Sequence, residues 1–206
     1  MADKTSTTRR AVLQASLGAG LGLATLSSLF VAGGLKPKKE ITPESEPPKE
    51  GDRFVVAEGP DKGKLITLDA LPLGGPFVLA WPKDPKTGVV KNGERNNLAM
   101  IIRFNPDEYD EETRKNTDQG VAVFSAICTH LGCTVSQWLA DQKAFLCPCH
   151  KGIYDPLHGA KVIGGPPPRP LPMLPVKVEN GEVVAAGGFL SPVGVVAGRR
   201  TGAPRV

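Results

Sequence analysis

One stretch of the sequence, CTHLGCTVSQWLADQKAFLCPCH at residues 128–150, holds most of the cysteine and histidine side chains of this chain. It contains all four cysteines and two of the three histidines, arranged as CTHLGC at residues 128–133 and CPCH at residues 147–150. A metal site needs several donors that converge on one point. Two short loops joined by a hairpin supply such donors at a small cost in loop-closure entropy. The stretch therefore predicts a metal centre.

Three kinds of metal site use sulfur donors at related spacings. Structural zinc sites favour C-x2-4-C or H-x3-5-H pairs, whereas here the first loop gives C-x-H and the second gives C-x-C-H. A plant-type iron-sulfur cluster shares the C-x4-C spacing of the first loop, but it needs a following C-x2-C and uses no histidine. The third kind binds through C-x-H and, after sixteen intervening residues, C-x2-H. The residues alone leave all three open.

CTHLGC and CPCH resemble, position by position, the two cluster loops of the Rieske iron-sulfur family. The resemblance implies one Rieske-type [2Fe-2S] cluster, with two cysteines on one iron and two histidines on the other through Nδ1. The ligands implied are Cys128, His130, Cys147 and His150. It also implies a disulfide between Cys133 and Cys149, as in the quinol-oxidising branch, and a disulfide fits an oxidising location outside the cytoplasm.

The same resemblance implies which residues meet quinol and which shield the cluster. His150 is expected to contact quinol directly, together with His130, and Leu131 is expected at the exposed tip that docks against the quinol-oxidation pocket of a partner. The run GGPPP resembles the family's proline loop, which covers a third side of the cluster. Its residues are Gly165, Pro166 and Pro167.

Three residues after the second loop are expected to tune the cluster. Tyr154 stands where the family's tyrosine donates a hydrogen bond to the sulfur of a ligand cysteine. Gly152 stands where the family usually has a serine, whose hydroxyl bonds a bridging sulfide. Losing that donor predicts a lower reduction potential, which suits menaquinol. Lys151 adds a positive charge that is expected to point to solvent.

The rest of the chain reads as turn-rich β structure. It contains 24 Gly and 20 Pro, and from Phe54 onward short apolar runs alternate with turn clusters. Asn180-Gly181, between VKVE and EVV, is the sharpest hairpin signal. Together with the resemblance, this predicts an all-β, antiparallel β-sandwich Rieske fold at residues 52–206. A small cluster-binding subdomain is expected at about 126–168, and a loose tail at 191–206.

The N-terminus predicts a membrane anchor. Residues 11–35 carry no charge and are long enough to cross a bilayer as one helix. Arg9-Arg10 immediately before them resembles a twin-arginine export signal, although an ordinary signal peptide is the alternative. Residues 36–51 are rich in Pro, Lys and Glu, which predicts a flexible linker. Residues 1–35 are thus expected to form a twin-arginine signal and a single N-terminal transmembrane anchor, with the cluster domain on the outer side of the membrane.

Charge gives no argument for nucleic acid as a partner. From Gly51 onward the chain has 18 basic residues against 16 acidic ones. The resemblance instead implies the redox subunit of a respiratory cytochrome bc complex, which oxidises quinol and reduces a c-type cytochrome beside a cytochrome b partner. Two alternatives are the Rieske small subunit of a molybdenum oxidoreductase of the arsenite oxidase type and an oxygenase-type Rieske ferredoxin.

Overall fold

The computed structural model describes residues 41–196, and within them the chain forms two antiparallel sheets. The strands, in chain order, are β1 (Arg53–Val56), β2 (Val78–Lys83), β3 (Ala99–Arg103), β4 (Val121–Ser125), β5 (Gln137–Leu139), β6 (Ala144–Cys147), β7 (Gly152–Asp155), β8 (Lys161–Gly164), β9 (Met173–Leu174), β10 (Val176–Glu179) and β11 (Glu182–Ala185). One sheet has the order β10-β11-β1-β2-β3-β4-β9, and the other has the order β5-β6-β7-β8. The smaller sheet thus lies in the chain between two strands of the larger one.

Helical structure is almost absent from residues 41–196, as the predicted all-β fold requires. The one α-helix described there, α1 (Glu111–Arg114), begins at Asp110, whose carboxylate accepts a hydrogen bond from the amide of Thr113 at 2.8 Å. Single 3₁₀ turns occupy Pro43–Ser45, Leu68–Ala70, Arg95–Asn97, Pro106–Glu108, Ala140–Gln142 and Pro156–His158. The prediction of an all-β, antiparallel fold is confirmed.

The first five residues of the predicted linker, 36–40, lie outside the described residues, and so do two further predicted segments. They are the membrane anchor at residues 1–35, with Arg9 and Arg10, and the end of the predicted loose tail, residues 197–206. Within residues 41–196, no helix has the length and apolar character needed to cross a membrane.

The central strands of the larger sheet are buried on both faces, which explains their continuous apolar sequence. Along β3, Met100 and Ile102 belong to one apolar cluster, while Ile101 belongs to a second cluster on the opposite face. The first cluster also contains Phe145 and Tyr154 of the smaller sheet. The smaller sheet therefore packs on one face of the larger sheet, and this packing places the loops at its end.

The hairpin predicted at Asn180-Gly181 is present. Glu179 pairs with Glu182 across the turn, and both central residues have positive φ, 52° at Asn180 and 79° at Gly181. These are the dihedral signs that a type I′ turn requires and that Asn-Gly adopts most readily.

The predicted linker at residues 36–51 makes specific contacts over its described part, residues 41–51. Next to it in the chain, Asp52 forms an ion pair with Lys91 at 2.6 Å, and the two side chains are 0% and 1% exposed. The Lys91 ammonium and the Asn97 side-chain amide also donate to backbone carbonyls of the segment, at 3.1 and 2.7 Å. A buried ion pair is tolerated only when such extra hydrogen bonds accompany it. Residues 41–51 therefore lie against the domain, which their composition did not indicate.

Candidate metal centre

The two cysteine-bearing loops lie side by side at one end of the domain. The first loop, residues 128–133, follows the buried strand β4, and the amide of Cys128 donates to the carbonyl of Cys133 at 2.8 Å. The second loop, residues 147–150, connects β6 to β7. A disulfide joins Cys133 to Cys149, with their Cα atoms 6.6 Å apart, as predicted. This disulfide holds together two loops whose bonded cysteines are 16 residues apart in the sequence.

The disulfide leaves Cys128 and Cys147 as free thiols, and both are buried, at 2% and 1% exposure. The Sγ atoms of Cys133, Cys147 and Cys149 lie within 4.8 Å of one another, but only Cys147 among them is not in the disulfide. The thiol of Cys128 is in hydrogen-bonding contact with that of Cys147. Burial raises the pKa of the Cys147 thiol, so a thiolate there needs a cation beside it. Two buried cysteines of this kind fit sulfur ligands of a metal.

The two histidines of these loops face each other. The ring centroids of His130 and His150 are 4.7 Å apart, with the ring planes at 88°. Nδ1 of His130 is buried and has no hydrogen-bond partner within the described part of the chain. A buried ring nitrogen without a partner is costly, and a metal bond through that nitrogen removes the cost. The donor set, two thiols and two imidazoles, therefore fits a [2Fe-2S] cluster of mixed ligation.

Tyr154 approaches the first loop from the smaller sheet. It is fully buried, and its hydroxyl lies 3.1 Å from Sγ of Cys128. The amide of Thr129 donates to the Tyr154 oxygen at 3.3 Å, while the Thr129 hydroxyl donates to the carbonyl of Arg169 at 2.7 Å. The hydroxyl proton of Tyr154 is therefore available to the sulfur. Burial raises the pKa of Tyr154, which keeps that proton in place.

The proline loop packs closely on the second loop, and glycine makes this approach possible at two positions. A Cβ at Gly152 would lie 2.5 Å from Cγ of Pro167, and a Cβ at Gly165 would lie 2.4 Å from the carbonyl oxygen of Lys151. Pro167 is buried, whereas Pro166 is exposed. Pro167 thus occupies the space that a side chain at Gly152 would fill.

The remaining predicted residues lie at the surface of the same end. Leu131 is 62% exposed, and His150 and Lys151 are also exposed. Sequence reasoning missed Thr129 and Arg169, which tie the first loop to the residue that follows the proline loop. Thr129 lies within CTHLGC and could have been found there, whereas Arg169 carries no local signal.

Comparisons with known proteins add a family and several relatives. Residues 84–175 match the family described as the Rieske [2Fe-2S] domain. The chain is 29% identical over 229 residues to the cytochrome bc1 complex Rieske iron-sulfur subunit of Mycobacterium tuberculosis, a match that covers 94% of this chain and 53% of the relative. It is 41% identical over 108 residues to the subunit of the same name from Corynebacterium diphtheriae, covering 50% of this chain and 27% of the relative.

A third relative has a different name. A Haloferax mediterranei protein, named as a Rieske subunit of respiratory nitrate reductase, is 37% identical over 113 residues, covering 54% of this chain and 48% of the relative. The matched part is thus about half of the Mycobacterium and Haloferax relatives and about a quarter of the Corynebacterium one.

Proposed function

Residues 84–175 form a Rieske [2Fe-2S] domain with one Rieske-type cluster, and on that premise we propose that this chain is the electron-transferring redox subunit of a cytochrome bc complex. When bound, such a cluster accepts and returns one electron at a time. We assign one iron to Cys128 and Cys147 and the other to Nδ1 of His130 and His150. The observation that carries this assignment is the unpartnered, buried Nδ1 of His130 beside the second histidine ring.

The exposed position of His150 supports a role in quinol oxidation. If Nδ1 binds iron, Nε2 of His150 is left on the exposed side of the domain, where it accepts a hydrogen bond from a quinol hydroxyl. Oxidising a quinol removes protons as well as electrons, so a ligand with a second titratable nitrogen suits that substrate. His130 is less exposed and completes the contact surface with Leu131.

The absence of a side chain at Gly152 supports a low-potential donor such as menaquinol. Pro167 fills the space beside Gly152, so no hydroxyl from this position stabilises the more negative, reduced state. Tyr154 supplies one hydrogen bond to Cys128, and Lys151 adds a positive charge nearby. With one donor fewer than a serine-containing loop, the centre has a lower reduction potential.

The proposed partners follow from this role. A cytochrome b subunit supplies the quinol site and a c-type cytochrome takes the electron, while nucleic acid has no part. The uncharged segment at residues 11–35 anchors the chain, and Arg9-Arg10 directs export. The Cys133–Cys149 disulfide agrees with a domain on the outer face of the membrane.

The Haloferax relative favours a second candidate, a Rieske subunit of an oxidoreductase outside the bc class. In that case this chain passes electrons to or from a molybdenum subunit, without quinol chemistry at its own tip. The domain and the cluster are common to both candidates, so the partner subunits distinguish them.

The test is to purify the full-length chain from its native membranes under mild detergent. We expect haem b and haem c to co-purify, a Rieske-type EPR signal in the reduced sample, and quinol-dependent reduction of cytochrome c. Co-purification of a molybdopterin subunit, with no haem b and no quinol oxidation, would establish the second candidate instead.

A further inference from the structure

The C-terminal segment at residues 192–196 crosses the base of the first cluster loop. Gly194 is buried, and its carbonyl accepts a hydrogen bond from the guanidinium of Arg169. A Cβ at Gly194 would lie 3.1 Å from Cγ2 of Ile127, immediately before the loop. A Cβ at Gly132, within the loop, would lie 3.9 Å from Cγ2 of Val195. The described end of the predicted loose tail is therefore held against the cluster end of the domain.

This segment exposes apolar side chains beside the tip of the loop. Val195 and Val196 are 56% and 52% exposed, next to a loop whose Leu131 is 62% exposed. Each exposed aliphatic side chain forgoes the favourable free energy of burial. When such side chains gather at a functional end of a domain, they mark a contact surface.

The charges around this surface favour an apolar partner. Residues 126–136 and 191–196 contain no charged side chain of their own, and Lys151 is the one charge of the second loop and the turn after it, residues 147–154. Two cations lie against these segments, and both are hydrogen-bonded to them: Arg95 donates to the Thr134 hydroxyl and Arg169 donates to the Gly194 carbonyl. A surface that relied on ion pairs for recognition would need more charge than this. This apolar surface lies at the same end of the domain as the exposed His150, because Gly132, beside Val195, is next to Cys133, which the disulfide joins to Cys149.

We propose that Val195 and Val196 form, with Leu131, one docking face that enters the apolar quinol-oxidation pocket of the membrane-embedded partner subunit. The proposal rests on the proposed function and adds the C-terminal segment, residues 192–196, to the two cluster loops as part of the surface that meets the partner. Arg169 is a positioning residue in this arrangement, because its guanidinium holds Gly194 and thereby sets where the two valines lie. The backbone carbonyl of Arg169 separately accepts the hydrogen bond of Thr129, and that contact survives any side-chain substitution.

The experiment uses the assembled complex in native membranes with the double variant Val195→Asp/Val196→Asp. The matched control is Leu73→Asp, because Leu73 is 58% exposed and pairs with Arg103. The first cluster loop lies near the start of β3, because the amide of Ala126 donates to the carbonyl of Leu98. Arg103 is the last residue of β3, so Leu73 lies at the end of the strand that is far from the loop. We expect the double variant to lower kcat/KM for quinol by about tenfold or more, because carboxylates are costly in an apolar pocket. We expect Leu73→Asp to leave it unchanged.

Three further measurements separate docking from other effects. The reduced EPR signal and the midpoint potential should stay unchanged in the double variant, and so should the rate at which reduced chain passes electrons to cytochrome c. The milder Val195→Ser/Val196→Ser should show a smaller loss in kcat/KM for quinol. Arg169→Ala should lower the same parameter at constant potential, and Arg169→Lys should restore most of it.

Several outcomes overturn the proposal. An unchanged kcat/KM in the double variant would do so, and so would a loss no larger than that of Leu73→Asp. A loss confined to cytochrome c reduction, or loss of the EPR signal in both valine variants, would also overturn it. Quinol oxidation by the unmodified complex is measured first. If that complex oxidises no quinol, the proposed function itself fails, and this outcome is distinct from failure of the docking proposal.

Discussion

The first cluster loop begins in the core and reaches the surface only at its tip, whereas the second loop is exposed along most of its length. Cys128 and Thr129 are each 2% exposed, and the loop is closed by its own backbone hydrogen bonds behind a fully buried strand. In the second loop Cys149 and His150 are exposed, as is Lys151 after it. The second loop is held mainly by its disulfide to the first loop and by its contact with the proline loop. The first loop is thus held by its burial in the core. The second loop is held by two contacts, the disulfide and the proline loop, and each of these can be removed by substitution.

The two ligand sulfurs receive different hydrogen bonds as a result. Sγ of Cys128 faces the hydroxyl of Tyr154, a side chain from the smaller sheet. Sγ of Cys147 receives backbone N–H groups from Cys149 and His150, within its own loop. Ordinary side-chain substitutions leave backbone N–H donors in place, and only proline removes them, whereas a side-chain hydroxyl is removed by a change such as Tyr to Phe. The potential should therefore respond most to changes at the first loop, and retention of the cluster should respond most to changes at the second.

The largest expected effect comes from removing the disulfide with Cys133→Ala/Cys149→Ala. A cross-link over 16 residues contributes about 3 kcal/mol by loop-closure entropy. We expect the opening free energy of residues 147–151 to fall by about that amount, while residues 126–129 change little. Hydrogen exchange of the detergent-solubilised full chain measures both loops in one sample, and the reduced EPR signal should decay during storage. Equal gains in exchange in both loops would contradict the comparison.

An intermediate effect is expected from Tyr154→Phe. Removing one hydrogen bond of about 1 kcal/mol to a ligand sulfur corresponds to roughly 40 mV for a one-electron couple. The midpoint potential should fall by about that amount, because the hydrogen bond stabilises the reduced state more than the oxidised one. Iron content and loop exchange should stay the same. Redox titration of the EPR signal measures the shift.

Tyr109→Phe is the matched control for Tyr154→Phe. Tyr109 is also buried, and its hydroxyl donates to the carbonyl of Gly120 at 3.0 Å, a contact that does not involve either loop. This variant should lower the free energy of unfolding by about 1 kcal/mol and leave the midpoint potential unchanged. Equal shifts in potential for the two variants would show that Tyr154 acts only through general stability.

Short patterns in the sequence predicted the two cluster loops, the disulfide between them and the hairpin at Asn180-Gly181. The two loops were found because CTHLGC and CPCH place their donors a few residues apart, and the Cys133–Cys149 disulfide followed from the family resemblance. The hairpin at Asn180-Gly181 was found because its turn residues have a strong conformational preference. Each of these signals lies within a short window of sequence.

Contacts between distant parts of the chain left no such signal. The ion pair between Lys91 and Asp52 spans 39 residues, and it packs a segment whose Pro, Lys and Glu content favours exposure. The hydrogen bond from Arg169 to Gly194 likewise spans 25 residues in a tail without an apolar pattern. Buried polar pairs of this kind depend on where the fold brings two segments together, which composition does not record.

The smallest effect concerns Gly152, where sequence and structure give different expectations for one substitution. Sequence comparison alone predicts that Gly152→Ser raises the midpoint potential by restoring a hydroxyl donor. A Cβ at this position would lie 2.5 Å from Cγ of Pro167, however, so the single variant must displace the proline loop. Displacing that loop admits water to the second loop and obscures the contribution of the hydroxyl.

Gly152→Ser should therefore be compared in the background of Pro167→Ala, which removes the opposing ring atom. In that pair we expect the serine to raise the midpoint potential by roughly 20 mV, about half of a full hydrogen bond, because the hydroxyl is not fixed by the surrounding packing. Gly152→Ala in the same background is the control, since it adds the Cβ without the donor. If alanine and serine shift the potential equally, the effect comes from packing of the exposed second loop, and Gly152 does not set the potential through a missing hydroxyl.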